Sequence, residues 1–174
     1  MEDMNNGNHM IIRNHRISGI SWNEQEDELT SWFNALPERF REGYIMPVAS
    51  GFGANTFTTG MGSFTREANN FLIANLASNS TVANDRTVFA PNGAHRVFAL
   101  SLADVDHLSR TDGFRNPGER VALDDEVAVG HWWLRTPESA TNAWIVAGAS
   151  ALGWGNLTFD FVSWGVRPAL IIYQ

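Results

Sequence analysis

The chain has 174 residues, a formal net charge of −7 and no cysteine. Its 44% hydrophobic and 18% charged content fits one globular domain, with or without an arm, and excludes disorder over the full length. The acidic balance excludes a nucleic-acid backbone as main partner, and the missing cysteines exclude disulfides, thiol nucleophiles and Cys-based metal sites.

No basic start followed by an apolar run opens the sequence, and no window nears the roughly 18 apolar residues of a membrane helix. A cytoplasmic or particle-associated location is expected. Residues 1–9 are polar, and residues 1–16 are expected as an N-terminal arm for homo-oligomer contacts or docking onto a particle. Within it, Met10-Ile11-Ile12, followed by Ile17 and Ile20, suggests one or two short strands.

Leu29, Trp32, Phe33 and Leu36 share a helical face, and Glu24, Glu26, Asp27 and Glu28 occupy the first turns, where the helix dipole favours acids. Pro37 ends that helix or starts a second short one. Residues 44–48 (YIMPV) read as a strand. Residues 49–63 read as a long loop whose Gly triplets lack the Lys-Ser/Thr ending of a phosphate loop. Ala68, Phe71, Leu72 and Leu76 predict a second helix, capped by Ser63 or Thr65.

Residues 88–90 and 96–100 read as strands around a Pro91-Asn92-Gly93 turn. Ser101 caps a helix reaching 109, with Asp104 completing a capping box and Leu102, Val105 and Leu108 facing inward. Residues 109–131 read as irregular. Asp124, Asp125 and Glu126 form a tight acidic cluster within them, read as a solvated turn, with a calcium site as the alternative. After 131 the spacing predicts short strands over 132–135, 143–147, 157–162 and 166–172. The fold class is α+β: two or three early helices, then a small twisted antiparallel sheet with long loops.

The last third organises the chain. Five of the seven tryptophans fall between 132 and 164, and an Arg stands beside a Pro in both WWLRTP (132–137) and GVRPAL (165–170). These two runs are expected to pair or lie side by side. Arg135 and Arg167 are expected to bridge loop carbonyls or carboxylates, a structural role shared with Trp133 in the core. Trp132 and Trp133 point to opposite faces of a strand, so one should be partly exposed or loop-covered. Trp154, flanked by Gly153 and Gly155, reads as an aromatic on a turn, either a recognition anchor or a lid on the core.

No catalytic set emerges. No Gly-x-Ser-x-Gly elbow is present, and no histidine pair has metal-ligand spacing among His9, His15, His95, His107 and His131. No enzyme activity, metal or cofactor is expected.

WWLRTP, AWIV with Gly148, and GVRPAL resemble the closing motifs of a widespread bacterial domain of unassigned function. VFALSLADV at 97–105 and the helix near 26–36 resemble its earlier segments, so the resemblance covers residues 20–172. That domain is similar to the C-type lectin-like fold of formylglycine-generating enzymes and of the variable proteins of diversity-generating retroelements. The resemblance implies a C-type lectin-like domain over residues 17–174. It also implies a ligand surface between the fixed motifs: Ser139, Thr141, Asn142, Ser150, Leu152, Trp154, Asn156, Phe159, Asp160 and Ser163. The formylglycine-generating activity depends on Cys, absent here, and the calcium-lectin sugar motif is absent too. The expected function is therefore non-enzymatic recognition of a protein or glycan, with a structural or decorating part of a phage or other particle as the alternative.

Overall fold

The computed structural model describes residues 2–4, 7–49, 52, 65–67, 70–72, 76, 79–111, 113–114, 116–124, 130–148, 152–159, 161 and 164–173. They form an α+β fold with few helices. One sheet is antiparallel, in the order β1 (Glu2–Asp3), β2 (Asn8–Ile12), β11 (Ala169–Tyr173), β4 (Ile45–Met46). The second runs β3 (Ile17–Ser18), β10 (Trp164–Val166), β7 (His131–Pro137), β8 (Asn142–Val146), β9 (Leu152–Asn156).

The second sheet is mixed rather than antiparallel. WWLRTP and GVRPAL do meet, but β10 runs parallel to β7, with Gly165 opposite Trp132 and Val166 opposite Trp133. The GVRPAL run crosses between the sheets: Gly165 and Val166 close β10, and Ala169 opens β11. Pro168 stands at the crossing, where no ladder asks for the N–H it lacks, and its carbonyl accepts from the Arg13 N–H at 2.9 Å. Gly165 is required by close approach, since a Cβ there would lie 2.1 Å from the Ile17 carbonyl oxygen.

The polar start is partly built into this framework. Asn8–Ile12 lies between β1 and β11, with Met10 opposite Ile171. Asn8, Met10 and Arg16 are buried. No boundary falls at residue 16, and those buried side chains are not free to dock elsewhere. Alternating apolar residues Met10 and Ile12 face the main core, which explains why the segment pairs inward.

The early helices are α1 (Gln25–Asn34) and α2 (Glu38–Gly43), separated at Pro37. Leu29 is fully buried, with Trp32, Phe33 and Leu36 packed around it against Val166 and Leu170. The predicted helix around Ala68–Leu76 is corrected: β5 (Thr65–Glu67) and β6 (Asn70–Leu72) pair antiparallel, Arg66 opposite Phe71. Asn69 and Asn70 are weak helix formers that compete for backbone groups, and Phe71 suits a strand, so local preference outweighs the apolar spacing.

A short helix, α3 (Ser80–Ala83), follows, its N-cap Asn79 accepting from the Val82 N–H. The expected hairpin over 88–100 is also corrected. The turn at 91–93 forms, with the Gly93 N–H donating to the Ala90 carbonyl. Its flanks pair elsewhere: Phe89 and His95 both with Val48, and Phe98 with Ala169. Buried Val97–Leu100 thus serves as a core strut between other elements.

Helix α4 (Leu102–Arg110) starts at Ser101, whose hydroxyl accepts from the Asp104 N–H while Asp104 accepts from the Ser101 N–H, the expected capping box. The stretch read as irregular contains a further short helix, α5 (Pro117–Arg120), with Pro at its start. Asp124 is no solvated turn residue: its carboxylate binds the buried Arg16 guanidinium at 2.6 Å and accepts from the Ser18 hydroxyl. Asp125 and Glu126 lie outside the described residues.

Two buried arginines fix the last third. Arg135 on β7 pairs with Asp104 at 2.9 Å and Asp85 at 3.0 Å, and donates to the Thr87 hydroxyl and the Ala99 and Asp85 carbonyls. It ties the start of α4 to the central strand. Arg167 donates to the Arg13 carbonyl at 2.8 Å and the Arg120 carbonyl at 3.3 Å, and lies over the rings of Trp132 and Phe114. Both adjacent tryptophans are buried, Trp132 in the main core and Trp133 on the opposite face of the sheet. Their indole N–H groups donate to the Arg120 and Ile20 carbonyls. Neither is left partly exposed, because each face of the strand carries its own core cluster.

Candidate recognition surface

Strand β9 ends its sheet: it pairs with β8 alone among the described elements, in full register from Asn142–Asn156 to Val146–Leu152. The flanking glycines predict a turn at Trp154, and the apolar spacing a strand over 157–162; the strand instead covers Leu152–Asn156, and a turn follows at 157–158. The two glycines misdirect that reading. Gly155 is small for packing, not for turning: a Cβ there would meet two ring carbons of Trp164 at 2.4 Å and Trp133 at 3.3 Å.

Alternation along the strands sorts the candidate residues by face. Asn142, Leu152, Trp154 and Asn156 share one face, with buried Trp144 directly opposite Trp154. Leu152 leans on the main core. Trp154 sits one strand beyond the core's edge and is 59% exposed. Asn156 uses its side-chain oxygen locally, accepting from the Thr158 N–H and hydroxyl. Asn142 approaches Glu138 at 3.4 Å.

Phe159 falls on the other side. Its ring meets Phe161 at 5.3 Å and Trp164 at 5.8 Å, and Trp164 in turn stacks on Trp133 and His131. Phe161, at 57% exposure, is a surface aromatic that the sequence reading leaves out. Its i,i+2 spacing from Phe159 was the available signal. Ser139 and Thr141 form the tight β7–β8 turn, where Glu138 and Ser139 N–H groups both donate to the Asn142 carbonyl. The Leu157 N–H donates to the Thr141 carbonyl, which brings that turn to the end of β9. Ser150, Asp160 and Ser163 lie outside the described residues. The candidates therefore make two aromatic patches on opposite faces of one sheet edge, joined at its end by the 138–141 turn.

Burial, and then the Arg16 charge, lower the His131 pKa below its ordinary 6.5. Its Nδ1 accepts from the Gly148 N–H at 3.2 Å, which fits a neutral ring. Desolvation lowers Arg167 to about 10. Among the described residues no group of three or more acidic, His or Cys side chains is placed to hold a metal ion. No helix among them is long and apolar enough to cross a membrane.

The family model described as Domain of unknown function (DUF6273) matches residues 6–174. The chain belongs to that family. The match includes Asn8–Ile12, in keeping with the place of β2 inside the sheet. No curated protein and no solved structure matches the chain. The DUF6273 match thus spans both aromatic patches and both buried arginines.

Proposed function

We propose that the chain is a non-enzymatic recognition domain of the C-type lectin-like type. It would bind a protein or glycan through the β8–β9 edge and the turns at its end. The observation that carries this reading is Trp154: a large aromatic, 59% exposed on the last strand of a sheet whose inner strands are locked. An indole held on a rigid strand offers wide contact area at low ordering cost, the usual character of a binding anchor. The resemblance to the variable proteins of diversity-generating retroelements supports a surface whose residues change while WWLR and GVRPAL stay.

The experiment compares wild type with Trp154→Ala against glycan and protein arrays. The expected result is at least one ligand whose binding falls by about 30-fold or more in the variant. The thermal midpoint should not move, since an exposed side chain contributes within about 0.5 kcal/mol. Ligands bound equally by both would sink the reading. Sequencing the 139–163 codons across a natural population tests diversification separately: substitutions concentrated there support it, and invariance rejects it. An assembly that binds no ligand but co-purifies as a particle would favour the decorating role.

A further inference from the structure

Arg135 and Arg167 are both buried, 0% and 1% exposed, yet among the described residues only Arg135 meets a carboxylate. Arg135 has two carboxylates. Arg167 has two backbone carbonyls and two aromatic rings, and its Nη2 donates to no described residue. A buried cation without an acid is unfavourable unless something supplies the anion. Its desolvation agrees, since burial alone pulls its pKa down to about 10.

Arg167 also lines a cavity of about 420 Å³, within the usual range for small-ligand sites. The walls come from Ile12, Phe114, Val121 and Leu123, and Asn14 adds an amide. The lining is mixed, somewhat more polar than apolar, with apolar side chains on one part and one buried guanidinium, and it shares no residue with the aromatic patches.

We propose that this cavity binds a small organic carboxylate, its anion paired with Arg167 and its apolar body against Phe114 and its neighbours. A planar carboxylate matches the fork of guanidinium donors. One negative charge matches one cation. A phosphate dianion would bring a second charge beside Glu119, which also lines the cavity and whose carboxylate is held at the surface by Asn116.

The test titrates the full chain with benzoate and follows backbone amide resonances. Benzamide serves as the neutral isostere, and inorganic phosphate at matched ionic strength as the anion without an apolar body. Replacing Arg167 would release the Arg13 and Arg120 carbonyls, so the informative variant is Gly118→Leu. Gly118 lines the cavity, and a Cβ there meets nothing within 4 Å, so the branch point of a larger side chain is accommodated at the cavity wall. The expected result is saturable benzoate shifts at Phe114, Gly118 and Val121, with Kd on the order of 1 mM and about tenfold or more weaker in Gly118→Leu. Benzamide and phosphate should each be weaker by a similar factor. Absence of saturable benzoate binding, equal binding of benzamide or phosphate, or benzoate binding unchanged in Gly118→Leu would overturn the proposal.

Discussion

Replacing Arg135 by Met keeps an unbranched side chain in the site and deletes its charge. Asp104, 2% exposed, would keep its bonds from Thr87 and Ser101 but lose its cation. Asp85, with a side chain 17% exposed, can be rehydrated, so its loss counts for less. Removing one partner of a buried pair costs about 3–5 kcal/mol, mostly from the stranded charge. Against a total stability on the order of 5–15 kcal/mol for a domain, that is a large fraction. Equilibrium urea unfolding would show it as a midpoint lowered by about 1–2 M at unchanged slope. Asp104→Asn then reports the mechanism. In wild type it strands Arg135 on Asp85 alone; in the Arg135→Met background it removes the stranded charge. It should therefore cost about 2 kcal/mol less in that background. An Arg135→Met protein within about 1 kcal/mol of wild type, or equal Asp104→Asn costs in both backgrounds, would refute the argument.

Gly155→Ala should lower stability by about 1–3 kcal/mol, because the new methyl would displace Trp164; near-ultraviolet circular dichroism would register the moved indole. Ser101→Ala should cost about 1 kcal/mol in urea unfolding, since it removes the α4 cap and the hydroxyl bond to the Asp85 carbonyl. The lowered His131 pKa sets a pH trend. The unfolded chain takes up a proton near 6.5 while the folded one resists, so stability is full above 6.5 and falls as pH drops toward the folded value. Unfolding midpoints between pH 5 and 7 should therefore slope less in His131→Gln than in wild type.

Much of the framework could be read from local chemistry. Ser101 and Asp104 announce α4 because a capping box is a short-range pattern. Leu29, Trp32, Phe33 and Leu36 announce α1 for the same reason. What local pattern could not supply was the partner of each strand. Nothing near Phe89 or His95 says that both pair with Val48, and nothing in GVRPAL says that β10 runs parallel to β7. The surface was half legible. Trp154 stood out by its exposure-prone setting, but its flanking glycines make room for rings rather than a turn. The separation of Phe159 from Trp154 by sheet face needed the register of β8 and β9. That Arg167 meets carbonyls and rings but no carboxylate among the described residues was invisible, because a counter-ion is a fact of three-dimensional neighbourhood.

The pairing of Met10 with Ile171 has a kinetic meaning. The antiparallel sheet cannot exist until segments separated by most of the domain have found each other, and every residue between them is then part of one closed loop. Local helices such as α1 and α4 can form within microseconds, but this closure makes folding slow, on the order of milliseconds to seconds. Until then, β2 and β4 expose pairing edges to any neighbouring chain. Crowded synthesis should thus yield aggregates joined through that sheet, while changes at the exposed edge of β9 leave the slow step alone.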